Sequence, residues 1–219
     1  MTGKGKELHR ILEVRELTDS TFVIRMERKE MAFIPGQYVN VGTTSSLHER
    51  EYSIYSGLDD PWLEILVRKV LDGDVSILLK SVLPGDQLRI SGPFGAMTLE
   101  ENKVKGKKFF LISTGTGIAP FRSFVRSFRK LDYRIIHGVK YSKEAYDIRE
   151  YDSSRFVLCT SVDRDGDYHG RVTAFLRESE IDTEGVYYAC GNSNMVYEVY
   201  NILREKGVSH SNMFSEIYF

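Results

Sequence analysis

A glycine-rich turn near the middle of the chain has the residue types that bind a pyrophosphate. The apolar run Phe109–Ser113 leads directly into Thr114–Pro120, whose sequence is TGTGIAP. Glycines let the backbone approach a phosphate closely, and the start of a helix offers free N–H groups with a partial positive charge. Pro120 replaces the third glycine of the usual dinucleotide pattern, and a turn of this kind can also simply join a strand to a helix. Its place after the first predicted parallel strand favours pyrophosphate binding.

Two segments in the first half of the chain also suit phosphate groups. Strand alternation places Arg50 and Tyr52 on one face and Ser53 on the other. A guanidinium forks onto a phosphate, and a phenol packs against a ribose. Gly73–Ser76 (GDVS) begins a predicted helix whose backbone N–H groups would face a second phosphate. The alternatives are an exposed Arg50 beside a half-buried Tyr52, and an ordinary helix cap at Asp74.

Composition excludes several classes of function. The chain has 219 residues, 42% hydrophobic and 28% charged, with a net charge of -1, so charge indicates neither a nucleic-acid nor a membrane partner. Cys159 and Cys190 are too few for an iron–sulfur cluster, and the five histidines lack metal-ligand spacing, so we expect no metal. No apolar run is long enough to span a membrane, and the first residues lack a signal-peptide core. We therefore expect a cytoplasmic protein.

The elements that must position these residues change character near residue 105. Before it, short alternating runs separated by turn signals predict an antiparallel barrel. After it, buried apolar runs alternating with amphipathic segments predict a doubly wound parallel sheet. We predict two domains, an N-terminal antiparallel β-barrel over 1–103 and an α/β domain over 108–219, joined by an exposed basic linker. The predicted strands are Glu7–Glu16, Thr21–Arg28, Tyr38–Gly42, Arg50–Ser56, Trp62–Val70, Gln87–Gly92, Phe109–Ser113, Tyr133–Val139, Phe156–Thr160, Val186–Cys190 and Met213–Phe219. The predicted helices are Asp74–Val82, Phe121–Lys130, Thr173–Glu178 and Asn194–Lys206.

Six segments, taken together and in order, resemble the ferredoxin–NADP reductase family over essentially the whole chain. They are Arg50–Ser53 (REYS), Gly73–Ser76 (GDVS), Pro84–Asp86 (PGD) leading to Gly92–Gly95 (GPFG), Gly115–Arg122 (GTGIAPFR), Cys190–Asn192 (CGN) with Met195, and Glu216–Phe219 (EIYF). Six collinear matches at family-like spacing are hard to obtain by chance. The resemblance implies a flavin-dependent oxidoreductase that transfers hydride between NAD(P)H and bound FAD and passes electrons to a ferredoxin or flavodoxin.

The resemblance also implies roles for individual residues. Arg50 would bind the FAD pyrophosphate, Tyr52 would contact the ribityl and isoalloxazine side, and Ser53 would hydrogen-bond near flavin N5. The FAD phosphates would be held by Gly73, Val75 and Ser76. The coenzyme would be held at its pyrophosphate by Gly115, Thr116 and Gly117, and elsewhere by Cys190, Gly191, Asn192 and Met195.

The end of the chain completes the implied catalytic set. Ser53, Cys190 and Glu216 would converge at flavin N5 and nicotinamide C4, where they would orient the reacting groups. Tyr218 would stack on the flavin face where the nicotinamide must land. The register on Glu216 favours Tyr218 over Phe219 for this position. Cys159 matches no motif of the family and is interpreted as structural.

Three cations are candidates for binding the 2′-phosphate of NADPH. Lys140 follows the second predicted parallel strand, and Arg164 and Arg171 follow the third. Arg164 matches the arginine of the family's usual Ser-Arg-Glu pattern, but Asp163 replaces the serine. An aspartate there could repel a 2′-phosphate or accept a hydrogen bond from the free 2′-hydroxyl of NADH. We favour NADPH, with NADH as the alternative, and the three cations could instead be solvated surface charges.

The electron acceptor is less determined by the sequence. Basic residues along the helix after the glycine turn could attract an acidic carrier protein or simply be solvated; they are Arg122, Arg126, Arg129 and Lys130. The alternatives to a ferredoxin or flavodoxin partner are an oxygenase-reductase component, a reductase of free flavin or quinone, and a non-catalytic flavoprotein subunit of a larger redox complex. The complete implied catalytic set argues against the non-catalytic subunit. Nothing in the sequence indicates the oligomeric state.

Overall fold

The structure, a computed structural model, describes residues 6–218. Phe219, the alternative to Tyr218 at the flavin, lies outside the described residues. Contacts divide the chain into two compact units. The first ends at Glu100 and also includes Ala119–Ser127, and the second comprises Glu101–Ile118 and the chain from Phe128 onward.

The first unit is built on a six-stranded antiparallel sheet in the order β4-β3-β6-β1-β2-β5. A bridge between Ile54, just after β4, and Ile65 in β5 joins the two ends of this order, which makes the sheet barrel-like. The interior is filled by aliphatic side chains such as Ile24, Val41 and Leu88, all inaccessible to solvent. The strands are β1 (Glu7–Glu16), β2 (Thr21–Glu27), β3 (Tyr38–Thr43), β4 (Arg50–Ser53), β5 (Trp62–Arg68) and β6 (Gln87–Phe94).

The second unit is a six-stranded parallel sheet in the order β10-β9-β8-β7-β11-β12. The chain starts at β7 in the interior of the sheet, runs to one edge, and returns to β11 on the other side of β7. Such a reversal creates a crevice at the carboxyl ends of the two strands, β7 and β11, where the order switches. The strands are β7 (Lys108–Thr114), β8 (Asp132–Val139), β9 (Phe156–Thr160), β10 (Tyr168–His169), β11 (Val186–Asn192) and β12 (Met213–Tyr218).

Within the described residues, five α-helices connect the strands: α1 (Asp74–Lys80), α2 (Glu101–Val104), α3 (Ala119–Ser127), α4 (Val172–Glu178) and α5 (Ser193–Glu205). Helices α4 and α5 bury their apolar sides in one core with residues from one face of the parallel sheet, such as Ile112 and Ile136. Short 3-10 helices cover Gly115–Ile118, Ser142–Glu144, Ile148–Glu150, Ser153–Arg155 and His210–Asn212. No helix within residues 6–218 is long and apolar enough to cross a membrane.

The predicted barrel followed by a parallel α/β domain is confirmed, and the differences are local. β1 and β9 begin and end where the sequence predicts. The first two residues of the basic segment predicted as a linker, Lys103 and Val104, lie in the short helix α2, which has no buried residue. Helix α3 stops at Ser127, three residues before Lys130. The short strand β10 was missed because two residues carry no detectable alternation pattern.

Candidate functional site

The glycine turn packs tightly against the end of strand β11. Gly115–Ile118 forms a 3-10 helix directly after β7, and Gly115 has a φ of +53°, in the left-handed region. A Cβ atom at Gly117 would lie only 2.2 Å from the carbonyl oxygen of Cys190. Only glycine therefore allows the turn to approach the strand this closely. This close approach leaves the turn's backbone at the switch point of the sheet, which fits a pyrophosphate.

Gly191 and Thr114 complete this contact from the strand side. Gly191 has a φ of +136°, and a Cβ atom there would lie 2.5 Å from the Thr114 hydroxyl oxygen. The same hydroxyl accepts a hydrogen bond from the Asn192 backbone N–H at 3.3 Å. The structure thus brings together the two glycine motifs that the sequence separates by some seventy residues. Thr114 is a contributor that motif reasoning missed, although it directly precedes the first glycine.

Asn192 and Met195 have internal partners. The Asn192 side chain accepts hydrogen bonds from the backbone N–H groups of Asn194 (3.1 Å) and Met195 (3.4 Å), so it caps helix α5. The Met195 side chain is buried in the core beneath α5. Their coenzyme contacts stay predictions, and their observed roles are structural.

Cys190, Glu216 and Tyr218 form one cluster at adjoining strand ends. In the parallel register of β11 and β12, Cys190 pairs with Glu216, and Asn192 pairs with Tyr218. Cys190 is fully buried. Burial raises the pKa of its thiol well above the usual range, the Glu216 charge raises it further, and a hydrogen bond with the Tyr218 side chain opposes them. The thiol therefore stays protonated at neutral pH. The prediction that Ser53, in the other unit, acts with these three residues stays a prediction.

Two further polar side chains lie beside this cluster, and sequence reasoning missed both as a site. Ser113 in β7 pairs with Cys190 in β11, and His137 in β8 pairs with Ser113. The Ser113 hydroxyl lies 2.8 Å from His137 Nδ1, and both residues are inaccessible to solvent. Burial lowers the pKa of His137 to about 4, against smaller opposing effects of backbone hydrogen bonds with Glu144 and Ser113. The available signal was one polar residue directly after a run of apolar residues near the end of each strand, Ser113 in β7 and His137 in β8.

The candidate 2′-phosphate residues all lie beyond the carboxyl ends of their strands. Lys140, Arg164 and Arg171 are exposed, and within residues 6–218 their side chains form no ion pair. Asp163 behaves differently, because its carboxylate accepts hydrogen bonds from the Ser142 backbone N–H (2.7 Å) and hydroxyl (3.0 Å). These bonds help to lower the pKa of Asp163, so the group stays ionised and tied to the adjacent loop.

In the first unit, strand β4 presents the predicted flavin residues as alternation requires. Arg50 is exposed and donates to the Glu49 carbonyl at 3.0 Å, Tyr52 is half-buried, and Ser53 is buried. Burial raises the pKa of Tyr52 to about 12, against a smaller opposing effect of the Arg50 charge. The phenol therefore remains a hydrogen-bond donor at neutral pH, beside an exposed guanidinium. This pair fits a ligand that carries both a phosphate and polar acceptor atoms.

The start of helix α1 lies close to the segment that leads into β4. Nδ1 of His48 lies 3.1 Å from the Asp74 carboxylate. Gly73 is the N-cap, and no side chain caps the helix there, so its first backbone N–H groups are not used by a cap. Val75 is buried in the core, and Ser76 accepts a hydrogen bond from the Val70 N–H at 3.0 Å. Val75 can therefore serve a phosphate only through its backbone, whereas the Ser76 hydroxyl, which accepts this bond, keeps its own proton to donate.

The hypothesis that four basic residues form a docking surface is wrong for Arg122, which is buried, and a second of the four, Arg126, is half-buried and paired within the first unit. Arg122 is 3% exposed and donates to Glu64 and to the Tyr55 carbonyl, each at 2.8 Å. Arg126 binds the Asp60 carboxylate through two hydrogen bonds, of 3.0 Å and 2.6 Å. Only Arg129 and Lys130 remain exposed, and both follow the end of α3.

Comparisons with known proteins agree with this architecture. Residues 11–99 match the family described as "Oxidoreductase FAD-binding domain", and residues 111–200 match "Oxidoreductase NAD-binding domain". The toluate 1,2-dioxygenase electron transfer component of Pseudomonas putida is 30% identical over 223 residues, covering 94% of this chain and 66% of that protein. The flavodoxin/ferredoxin–NADP reductase of Escherichia coli K12 is 23% identical over 220 residues, covering 90% of this chain and 86% of that protein.

Solved structures share the fold. The ferredoxin NADP+ reductase from Neisseria gonorrhoeae, crystallised with bound FAD and NADP, has a TM-score of 0.87 at 23% identity, covering 99% of this chain and 100% of that chain. The cytochrome P450 reductase GcoB from Amycolatopsis has a TM-score of 0.85 at 25% identity, covering 97% of this chain and 71% of that chain.

Proposed function

The chain belongs to the ferredoxin–NADP reductase family, and from this premise we propose that it transfers hydride between NAD(P)H and bound FAD and passes electrons to a ferredoxin- or flavodoxin-type carrier. The observation that carries the proposal is the meeting of the glycine turn with the Cys190–Asn192 segment at the switch point of the parallel sheet. The cluster of Cys190, Glu216 and Tyr218 on adjoining strand ends adds to it. A nucleotide-binding fold without a redox role has no use for such a cluster.

The first unit would hold FAD through side chains on β4 and backbone groups at α1. Arg50 would neutralise the pyrophosphate, Tyr52 would donate its phenolic proton, and Ser53 would bind near the reacting edge of the ring. Gly73, Val75 and Ser76 would contribute backbone N–H groups. FAD supplies hydride acceptance and single-electron release, chemistry that no side chain of this unit offers.

The second unit would bind and align the coenzyme. Gly115, Thr116 and Gly117 would hold its pyrophosphate with backbone groups, while Cys190 and Gly191 would line the approach of the nicotinamide. Because the Cys190 thiol stays protonated, it acts by packing and hydrogen bonding and not as a base. Hydride transfer depends steeply on the distance and angle between two atoms, so orientation is the main contribution of such residues.

We propose NADPH as the preferred coenzyme. Lys140, Arg164 and Arg171 are exposed cations without ion-pair partners among the described residues. The Asp163 carboxylate, which would oppose a 2′-phosphate, is engaged by Ser142. A bound 2′-phosphate would therefore meet three unpaired cations and one carboxylate that is already hydrogen-bonded.

A reductase component of an oxygenase system is the second candidate function. The 30% identical relative is named as an electron transfer component of a dioxygenase, and the chain spans 66% of its length. In either case the partner would be a protein that accepts electrons, and the proposed location is the cytoplasm. A reductase of free flavins or quinones is a weaker candidate, because Tyr218 would cover the flavin.

The proposal is tested with the purified protein and its cofactors. FAD should bind and give the yellow flavin absorbance, and anaerobic NADPH should bleach it more efficiently than NADH. A ferredoxin or flavodoxin should then reoxidise the flavin in the stopped-flow instrument. A protein that binds no FAD, or whose flavin neither nicotinamide coenzyme bleaches, would contradict the proposal. Rapid reduction of free flavin or quinone with neither carrier reduced would favour the weaker candidate.

A further inference from the structure

A row of polar side chains crosses the parallel sheet at one level, near its carboxyl edge. The strand registers pair His137 with Ser113, Ser113 with Cys190, and Cys190 with Glu216. Side chains paired in this way project from the same face, about 4.8 Å apart from strand to strand. The row therefore runs from a fully buried histidine to a partly exposed carboxylate across four adjacent strands.

We propose that Ser113 and His137 are positioning residues that hold the Cys190 thiol in place for nicotinamide alignment. The inference rests on the proposed function, because it concerns the same coenzyme site. Neither residue belongs to a motif that carries the family resemblance. The tertiary structure places Ser113 next to Cys190 on the adjacent strand, and His137 on the far side of Ser113.

The first argument is the hydrogen bond between Ser113 and His137. Their atoms lie 2.8 Å apart in a fully buried environment, where a hydrogen bond is strong and its loss is costly. Since the pKa of His137 is about 4, the ring is neutral at neutral pH and has one donor and one acceptor nitrogen. The contact therefore fixes the rotamer of the Ser113 hydroxyl.

The second argument is that aromatic rings hold His137 in place. The Phe156 ring meets the imidazole edge-on with centroids 6.1 Å apart, and the Tyr146 ring lies 6.5 Å away. Both aromatic residues are buried. An imidazole packed in this way cannot rotate freely, so it can hold its neighbour's hydroxyl in one position.

The third argument concerns the two sides of the Cys190 thiol. Without Ser113 and His137, the thiol would have partners only on the β12 side. Glu216 and Tyr218 act on Cys190 from the β12 side. On the β7 side its lateral neighbour in the strand register is Ser113. A thiol that is held from both sides has little freedom to move. Hydride transfer is sensitive to geometry, so it benefits from this restriction.

A double-mutant cycle tests the inference on the FAD-loaded protein. Ser113→Ala should lower the limiting rate of anaerobic flavin reduction by about threefold to tenfold, the range for one neutral hydrogen bond. The dissociation constant for NADPH should change little. In the Cys190→Ala background the same substitution should have no further effect, because Ser113 acts through the thiol. Equal losses in both backgrounds would overturn the inference and leave the proposed function intact.

The control is Cys159→Ala, which removes one buried atom from the opposite face of the same sheet. Cys159 lies in the core with Ile112 and Ile136, away from the row. Its substitution should leave the reduction rate unchanged within about twofold, whereas Ser113→Ala should not. If Ser113→Ala does not fold, His137→Phe replaces it in the same cycle, with the same expected outcome.

A second readout needs neither cofactor. In protein without FAD that carries Cys159→Ala, Cys190 is the only thiol, and its S–H stretching band in the infrared reports its hydrogen bonding. Ser113→Ala and His137→Phe should each shift this band. An unmoved band in both variants would overturn the inference. Because this measurement does not depend on flavin reduction, it separates a failure of the inference from a failure of the proposed function.

Discussion

Burial gives side chains of the second unit protonation states that favour orientation over acid–base chemistry. Burial raises the pKa of Cys190 well above its usual range and lowers that of His137 to about 4. At neutral pH both side chains are uncharged, although the ordinary pKa of an exposed cysteine or histidine lies within a few units of pH 7. Charge near the proposed nicotinamide site thus resides on Glu216, at the partly exposed end of the row.

His137 should make the protein less stable in acid. The unfolded chain takes up a proton near pH 6.5, whereas the folded chain resists it until about pH 4, so the free energy of unfolding falls between these values. His137 causes no loss of stability above about pH 7, and by pH 5 it lowers the free energy of unfolding by about 2 kcal/mol. Urea unfolding should show a shallower fall with pH for His137→Phe than for the wild type. Tyr146→Phe, a neighbouring control, should keep the wild-type slope.

Arg164 should discriminate between the two coenzymes. Arg164→Ala should weaken NADPH binding by about 1.5–3 kcal/mol, the range for a charged hydrogen bond, and leave NADH binding nearly unchanged. Titrations of the FAD-loaded protein with each coenzyme measure the two constants. The control is Arg149→Ala, which also removes an exposed arginine, from a 3-10 helix. It should change neither the NADPH nor the NADH dissociation constant. Equal losses for NADPH and NADH would contradict the phosphate role.

Helix α3 carries an arginine, Arg122, whose role depends on its ion-pair partner. It directly follows the glycine turn in sequence, yet its contacts lie within the first unit. Ser123 donates to the Ser56 carbonyl at 2.8 Å, and the Arg122 guanidinium lies 4.1 Å from the Tyr55 ring centroid. Glu64 is 1% exposed and holds Arg122 with one carboxylate oxygen and Arg25 with the other.

The Arg122–Glu64 pair should matter far more to stability than an exposed pair of similar length. Glu64→Gln leaves the buried Arg122 without its counter-charge, and breaking a buried pair in this way costs about 3–5 kcal/mol. The matched control is Glu27→Gln, which breaks the largely exposed pair with Arg10 at 3.0 Å and should cost less than about 1 kcal/mol. Chemical unfolding of the two variants measures both losses, and similar values would contradict the role given to the buried pair.

On the scale of the whole molecule, the two units do not follow a single cut in the chain. The sequence predicts a domain boundary between residues 103 and 108. In the proposed function, the part before this boundary binds FAD, and the part after it binds the nicotinamide coenzyme. By contacts, however, Ala119–Ser127 belongs with the barrel. A barrel without α3 would leave Glu64, Asp60 and Ser56 without partners that they have in the full chain.

A fragment of residues 1–103 should therefore be less stable than the barrel within the full chain. Joining residues 119–127 to its end through a flexible linker should recover cooperative thermal unfolding, because the buried partners of Glu64 and Ser56 return. Circular dichroism melts of the two fragments provide the comparison. If the fragment without α3 melts as cooperatively and at the same temperature as the extended one, the helix is not needed by the barrel.

The sequence alone determined the two-domain architecture and the positions of most of its elements. Turn signals, alternation and helical spacing are local properties, so β1 and β9 could be predicted to the residue. Glycine motifs also act locally, since a left-handed or tightly packed turn restricts one position at a time. The motifs around Gly115 and Cys190 could thus be recognised from the sequence, and their family could be identified.

Only the tertiary structure decided which distant side chains meet. Strand register places Ser113 between His137 and Cys190, and no spacing along the chain encodes that neighbour relation. The sequence offers Arg122 as a surface charge and Asp163 as a group facing the coenzyme, but in the structure Glu64 pairs with a buried Arg122, and Ser142 donates to the Asp163 carboxylate. The physical reason is that the energy of a charge or hydroxyl depends on what surrounds it in space. Long-range packing sets those surroundings, and local sequence patterns do not.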